Sequence, residues 1–189
     1  MQEFKQNETI KGSNYSTTKL AAEYDNCHFI SCDFSAVDLS SIIFSQCLFE
    51  NCNLSSAKIN NTSFQDVVFK SCKMLGLAFD DCNEFALSLK FENCLLNHSS
   101  FYKLKIPETT FINSQLKEVD FSQCDLAHCV FDGSDLSQAT FDRTNLNKAD
   151  FQTAVNFSID PIKNNIKKAK FSLANIRGLL DCFELEINS

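Results

Sequence analysis

Ten cysteines and three histidines are the side chains of this 189-residue sequence best suited to metal, redox or nucleophilic chemistry. The sequence has no C-x-x-C pair and no Cys/His cluster with zinc-site spacing, so it does not predict a zinc site. Eight cysteines share one spacing pattern: Cys27, Cys32, Cys47, Cys52, Cys72, Cys94, Cys124 and Cys129. This pattern favours buried, reduced thiols used as small hydrophobic side chains, which is typical of a reducing compartment.

The three histidines give little support to catalysis. His28, His98 and His128 are widely separated, and none has a serine or cysteine nucleophile at a plausible spacing. The sequence contains only four scattered glycines, so a glycine-rich phosphate-binding loop is excluded. We therefore predict a protein that is not an enzyme and that needs no cofactor and no metal.

The elements that position these side chains follow a period of five residues. An α-helix repeats its apolar face every 3.6 residues and a strand every 2, so neither explains this period. A chain that turns a corner every five residues returns to the same face after four corners, which is 20 residues. From residue 91 the apolar centres are Phe91, Leu96, Phe101, Ile106, Phe111, Leu116, Phe121, Leu126, Phe131, Leu136, Phe141, Leu146 and Phe151.

Every fourth centre falls in the same column, and four columns result. The first consists only of phenylalanine: Phe29, Phe49, Phe69, Phe91, Phe111, Phe131, Phe151 and Phe171. The others begin at Phe34, Leu39 and Tyr24. The step is 20 except across residues 79–91, where two extra residues are absorbed and Phe85 is predicted to remain a centre of the fourth column. The columns predict a solenoid with four faces.

Short motifs around the centres carry a family resemblance. They read Val-Asp-Leu at 37–39, Val-Asp-Phe at 119–121, Cys-Asp-Leu at 124–126, Ser-Asp-Leu at 134–136, Thr-Asn-Leu at 144–146 and Ala-Asp-Phe at 149–151. The sequence thus resembles the pentapeptide-repeat family over residues 20–158. The resemblance implies an all-β, right-handed quadrilateral β-helix. The Asp or Asn before the centre suits a turn, because its side chain bonds local backbone groups.

The predicted rod has about eight coils, spaced ~4.8 Å apart, and ends in a short C-terminal helix and strand. We expect an N-terminal cap over residues 1–20, the β-helix over 21–158, and a final coil with a C-terminal dimerisation module over 159–189. The sequence contains no run of about 18 apolar residues, the length needed to span a membrane. The N-terminus lacks the apolar core of a signal peptide, so we expect a cytoplasmic protein.

Acidic residues dominate the repeats. The whole chain has a net charge of −7, and residues 21–158 hold 18 acidic and 9 basic side chains. This balance disfavours direct binding of nucleic acid, which needs a basic surface. One stretch without Lys or Arg contains Glu118, Asp120, Asp125, Asp132, Asp135 and Asp142. These residues are predicted to ring the shaft and to meet a basic partner, the alternative being a role in solubility alone.

A second resemblance lies at the C-terminal end. It rests on Ser158-Ile159-Asp160-Pro161, Asn164, Ile166-Lys167-Lys168-Ala169, Phe171-Ser172-Leu173, Gly178-Leu179-Leu180 and Phe183. These residues resemble the C-terminal module of the Qnr/MfpA-type topoisomerase-binding proteins. The resemblance implies a homodimeric, acidic mimic of DNA that binds DNA gyrase or topoisomerase IV and confers resistance to quinolones or gyrase toxins.

The sequence departs from the strongly protective Qnr members, because it lacks sizeable loops on the shaft. The resemblance therefore leaves open whether binding protects or inhibits gyrase. The alternative function is a non-enzymatic protein-interaction scaffold with an unrelated partner.

An apolar stripe near the end predicts how two rods would join. Its members are Leu173, Ile176, Leu179, Leu180 and Phe183. Their spacing predicts a helix capped by Ser172, and Glu184-Leu185-Glu186-Ile187 alternates as a short strand would. The helix would cap the open core of the last coil. The stripe is predicted to form a twofold dimer interface as well, the alternative being a role in capping alone.

Overall fold

The chain winds into parallel coils, as seen in a computed structural model that describes residues 3–183 and 185–186. Ten short strands lie along the coils: β1 Phe4–Gln6, β2 Thr9–Lys11, β3 Glu23–Asp25, β4 His28–Ile30, β5 Ile43–Ser45, β6 Leu48–Glu50, β7 Ser63–Gln65, β8 Val67–Lys70, β9 Leu89–Glu92 and β10 Thr110–Ile112. Three 3-10 helices span Phe79–Asp81, Ile176–Leu179 and Asp181–Phe183.

The strands form two parallel sheets on different faces. One has the order β1-β3-β5-β7 and the other the order β10-β9-β8-β6-β4-β2. Phe29 pairs with Phe49, Phe49 with Phe69, and Phe69 with Phe91. Each residue thus lies over its equivalent in the preceding coil, and the predicted quadrilateral β-helix is confirmed.

The number of coils depends on how the pairing is counted. The six-stranded sheet covers five coil-to-coil steps, from β2 to β10. Beyond β10 the same 20-residue register continues only as isolated backbone β-bridges. These bridges join Thr110 to Val130, Val130 to Asp150, and Asp150 to Lys170. Continuous strand pairing therefore covers fewer turns than the eight predicted, and single bridges between corners extend it.

Stacked aromatic rings fill the interior. In the first column the ring centroids of neighbours lie 5.1 Å apart for both Phe91–Phe111 and Phe111–Phe131, with nearly parallel planes. A second aromatic column contains Phe101 and Phe121, stacked at 5.2 Å. The two columns meet edge to face, as between Phe111 and Phe121 at 5.7 Å. The predicted phenylalanine column is confirmed.

The prediction that Phe85 is a core centre is wrong. Its side chain is 76% exposed. Asn83 still pairs with Ser63 at a step of 20, whereas Leu89 pairs with Val67 at a step of 22. The two extra residues therefore lie between Asn83 and Leu89, and Leu87 instead packs against the core.

A left-handed corner follows almost every centre. The second residue after the centre has a positive φ even where it is not glycine, as at Glu118 (55°), Gln138 (59°) and Lys148 (58°). Asp or Asn before the centre supports the same corner, since its side chain accepts a hydrogen bond from the backbone N–H two residues on. Asp33 accepts from Ser35 at 2.9 Å in this way, as the motif predicts.

Strand pairing begins before the predicted boundary at residue 20. Strand β1 pairs with β3, and β2 pairs with β4. Asn14 also bridges to Asp33, and Tyr15 is buried against Phe34 with stacked rings at 4.3 Å. Residues 4–15 thus continue the solenoid that the repeat motifs define.

The C-terminal segment is not the single amphipathic helix that was predicted. It consists of the two 3-10 helices Ile176–Leu179 and Asp181–Phe183. Asn175, not Ser172, precedes the first one, and no side chain caps it. Of the predicted strand 184–187, residues 185 and 186 are in no strand, and residues 184 and 187 lie outside the described part of the chain.

Candidate partner-binding surface

The six predicted acidic residues encircle the C-terminal half of the rod. We call Glu118, Asp120, Asp125, Asp132, Asp135 and Asp142 the acidic belt. Backbone β-bridges join Asp120 to Thr140, Asp125 to Asn145 and Asp135 to Val155, each one coil further along. The belt residues are distributed over all four faces, and Asp120 and Asp142 share a face on adjacent coils, as predicted.

Hydrogen bonds hold four belt carboxylates in fixed directions, and one of them, Asp132, accepts from the Thr153 hydroxyl. Asp120 accepts a hydrogen bond from the backbone N–H of Ser122 at 2.8 Å. Asp125 accepts one from the side-chain amide of Asn145 at 2.7 Å, one coil further along. These bonds satisfy only part of each carboxylate, so oxygen lone pairs remain free to meet a partner.

Asp135 is the most strongly supported of the belt residues. It accepts hydrogen bonds from the Ser137 hydroxyl at 2.6 Å and from the Asn156 side-chain amide at 2.8 Å. Partial burial acts to raise its pKa, but these hydrogen bonds outweigh it and hold the pKa of Asp135 below its ordinary value. The charge therefore persists to lower pH than that of a free aspartate.

Both ends of the belt are neutralised by residues just outside the Lys- and Arg-free stretch. Glu118 contacts Lys117 at 3.8 Å and His98 at 3.2 Å. Asp142 pairs with Arg143 at 3.0 Å. Of the six belt carboxylates, the four that make no ion pair with any described residue are Asp120, Asp125, Asp132 and Asp135. The belt is therefore less acidic at its two ends than the sequence predicts.

Basic side chains are interleaved with the acidic ones along the rod. Lys105 lies one coil before Asp125, and the two residues are joined by a backbone β-bridge without an ion pair. Lys70 pairs with Glu92 at 3.1 Å, and Lys170 pairs with Asp150 at 3.0 Å. The negative charge is thus spread in patches, and a partner would find both signs on a given face.

The predicted dimer residues are only partly gathered on one surface. Leu173 is 95% exposed, and Ile176 and Phe183 are also exposed. Leu179 is instead buried with the core and acts in the cap, whereas Leu180 is half-buried. The predicted stripe therefore divides into an inner capping side and an outer exposed side.

Two further exposed apolar residues lie in the last coils and were missed by sequence reasoning. Val155 is exposed at the position that pairs with Asp135 one coil earlier, where the repeat usually has Asp or Asn, and Ile162 is exposed beside Pro161. Val155 departs from the repeat motif, and this departure is the feature of the sequence that could have indicated an exposed apolar residue here. The C-terminal end is thus the more apolar end of the rod.

The thiols and histidines form no reactive group. All ten cysteines are free, and nine of them are buried. Burial raises the pKa of Cys47 to about 12, which keeps that thiol protonated at neutral pH. In the described residues, no three potential ligands come together in a way that could hold a metal ion. His28 simply pairs with Glu50 at 2.9 Å across one coil.

Across the described ranges, none of the helices has the length and apolarity required to cross a membrane.

The four-faced coil, the five-residue motif and the stacked centres together define a pentapeptide-repeat solenoid. A family model described as "pentapeptide repeat region" matches residues 22–101 and 42–121, and one described as "pentapeptide repeats (8 copies)" matches residues 114–152. The chain belongs to the pentapeptide-repeat family. No curated protein matched the sequence.

Several solved structures have the same fold. Two trypsin-treated variants of QnrB1, described as a plasmid-mediated fluoroquinolone resistance protein, match with TM-scores of 0.66 and 0.65. Their sequence identities to the chain are 16% and 17%. The matches cover 98% and 100% of this chain and 100% of each QnrB1 chain. Full-length QnrB1 matches with a TM-score of 0.57 at 15% identity, over 97% of this chain and 100% of its own. At these identities the matches show a shared fold.

Proposed function

We propose that this rod binds a type II topoisomerase, DNA gyrase or topoisomerase IV, at the surface that normally holds duplex DNA. The protein would thereby modulate the enzyme's response to quinolones or to gyrase toxins. The observation that carries the proposal is the set of four carboxylates without ion pairs in the acidic belt, Asp120, Asp125, Asp132 and Asp135. The match to QnrB1 over its whole length supports the same assignment.

Rigid carboxylates suit such a partner for a physical reason. A side chain that is already fixed loses less conformational entropy when it binds, so more of its interaction energy contributes to affinity. Asp120, Asp125 and Asp135 are held by hydrogen bonds to the corner backbone or to the next coil. They therefore present charge in a fixed array, as a duplex presents its phosphates.

The total charge sets a limit on how far the imitation of DNA extends. Duplex DNA carries about one charge per 1.7 Å, or roughly 22 along a rod of ~38 Å. The repeats carry 18 acidic against 9 basic residues. Long-range attraction would steer the encounter, and a few placed contacts would have to supply specificity.

A supercoiling assay tests the proposal directly. Purified protein is titrated into DNA gyrase with and without a quinolone. Restored supercoiling in the presence of the drug would indicate protection, and lost supercoiling without the drug would indicate inhibition. No effect in either condition would contradict the proposal and leave the protein-interaction scaffold as the better description.

Two matched variants test the role of the belt. One replaces Asp120, Asp125, Asp132 and Asp135 by Asn, and the control replaces Asp25, Asp33 and Asp38 by Asn and Glu23 by Gln. Both change the net charge equally, and Asn accepts the same corner hydrogen bonds. We expect the belt variant to associate with gyrase about tenfold more slowly and with weaker salt dependence. Equal effects of both variants would assign the belt a general electrostatic role only.

A further inference from the structure

Phe85 is out of place in a rod that buries its aromatic residues. Among the large hydrophobic side chains of residues 5–154, all of which the structure describes, only that of Phe85 is exposed, at 76%. It lies on the bulge formed by the two extra residues between Asn83 and Leu89. A single exposed apolar side chain is common on protein surfaces, so the turn that holds Phe85 and the charged groups beside it decide what it could contact.

The bulge is a closed turn that holds Phe85 outward. The side-chain carbonyl of Asn83 accepts a hydrogen bond from the Phe85 N–H at 2.9 Å. The N–H of Leu87 donates to the carbonyl of Glu84 at 3.3 Å, and Ala86 has a left-handed φ of 54°. Leu87 then packs against the core. Phe85 is therefore presented by a structured turn and is anchored on both sides.

Charged residues lie beside this bulge. A cleft of about 340 Å³ there is lined by the apolar residues Leu87, Leu89 and Pro107, by Asp66 and Glu108, and by Lys90. Glu84, next to Phe85, is also exposed. The surface thus combines one aromatic side chain with several carboxylates. It is complementary to an apolar pocket bordered by lysine or arginine.

A uniform solenoid has a difficulty that such a bulge would remove. Its backbone repeats every coil, or every ~4.8 Å, so the shape of the shaft alone does not fix a partner at one coil. Long-range electrostatics attracts a partner but does not fix its position along the rod. A single protruding aromatic residue breaks this translational symmetry.

We propose that Phe85, together with the carboxylates of Glu84, Asp66 and Glu108, fixes where the topoisomerase sits along the rod. The partner surface is an apolar pocket bordered by basic side chains, and Phe85 is the side chain that enters it. This inference rests on the proposed function, because it concerns the same partner.

Binding of reconstituted gyrase to Phe85→Ala, measured at two salt concentrations, tests this inference. We expect affinity to fall about 30-fold, as for a buried aromatic anchor, while the salt dependence stays unchanged because no charge is altered. Phe4→Ala is the matched control, since it shortens an exposed phenylalanine at the N-terminal end of the rod. Thermal unfolding of both variants should match that of the unaltered chain, because neither side chain is buried.

The outcomes separate the two proposals. If the unaltered chain binds gyrase and Phe85→Ala binds equally well, the positioning role is wrong and the proposed function stands. Equal losses in Phe85→Ala and Phe4→Ala would also overturn the positioning role, because the effect would then be general hydrophobicity. If the unaltered chain does not bind gyrase, both proposals fail.

Discussion

Between the two ends of the first column, each phenylalanine contacts rings above, below and beside it. Phe111 stacks on Phe91 and Phe131 at 5.1 Å and meets Phe101 and Phe121 edge to face at 5.8 and 5.7 Å. Such offset and edge-to-face arrangements are the favourable geometries for aromatic pairs. Because every coil repeats them, the interior is a regular crystal-like stack with one aromatic ring per step in this column.

Replacing Phe111 by Ala should destabilise the rod by about 3–5 kcal/mol, because it leaves a cavity between two stacked rings. Phe171→Ala is the control, since Phe171 has a stacking partner on one side only, Phe151 at 5.3 Å. The destabilisation caused by Phe171→Ala should be clearly smaller. Denaturant unfolding followed by circular dichroism measures both. A loss below about 1 kcal/mol at Phe111 would contradict the stacked core.

The corner residues allow a second test at this scale. Gln138 is exposed, with a φ of 59°. A β-branched side chain is strained in the left-handed region, so Gln138→Val should destabilise the rod by about 1–2 kcal/mol. Gln138→Gly should change the stability little, because glycine adopts this conformation freely but is more flexible when unfolded. Equal stabilities of the two variants, measured by denaturant unfolding, would contradict the role of the corner conformation.

The sequence predicts the columns well because one buried centre per corner is what each coil requires. Its one error in the core, Phe85, has a physical explanation. A two-residue excess can be placed at several points between residues 79 and 91, and hydrophobicity favours putting the aromatic residue inside. Strand pairing decides otherwise, because Asn83 keeps its register with Ser63 and leaves the excess after it. Such pairing geometry is not visible in residue types.

At the scale of the elements, the C-terminal end shows how an open solenoid is closed. The side-chain amide of Asn175 donates to the carbonyls of Phe151 at 2.7 Å and Ala154 at 3.0 Å. Its carbonyl accepts from the N–H of Ser172 at 3.0 Å. One side chain thus takes over hydrogen bonds that a further coil would otherwise make. The helical spacing of apolar residues did not indicate this arrangement, because the contacts are polar and long-range.

Asn175→Ala should lower the free energy of opening of the cap by about 1–3 kcal/mol, because it leaves backbone carbonyls at the end of the coil without partners. Asn147→Ala is the control, because Asn147 lies at an ordinary corner where its side chain makes no described hydrogen bond of this kind. Hydrogen exchange should show faster opening of residues 151–172 in Asn175→Ala, with the central coils unchanged. Unchanged exchange in that range would show that Asn175 does not hold the cap.

At the scale of the whole molecule, the distribution of charge could be predicted only in part. The repeat identifies which side chains point outward, so the position of the belt around the shaft follows from the sequence. The pairing of Glu118 with Lys117 and of Asp142 with Arg143 does not, because it depends on side-chain positions at the corners. The strongest remaining charges therefore lie in the middle of the belt.

Exposed apolar side chains gather towards the C-terminal end, where Val155, Ile162, Leu173, Ile176 and Phe183 are all exposed. Soluble monomers rarely expose large contiguous apolar surfaces, so we propose that two rods join at this end in a twofold dimer. Leu173 is the most informative residue to change. It is 95% exposed, so a substitution there disturbs the contact between chains without disturbing the cap.

Leu173→Glu should therefore convert the dimer into a monomer, because it places a charge in an apolar contact. Phe4→Glu makes the same kind of change at the opposite end and should leave the dimer intact. Sedimentation equilibrium at micromolar concentration should give twice the chain mass of 21.3 kDa for the unaltered chain and the control. A mass of 21.3 kDa for the unaltered chain would exclude the dimer. The binding surface for a topoisomerase would then be limited to one rod of ~38 Å, which halves the length of duplex DNA that it could replace.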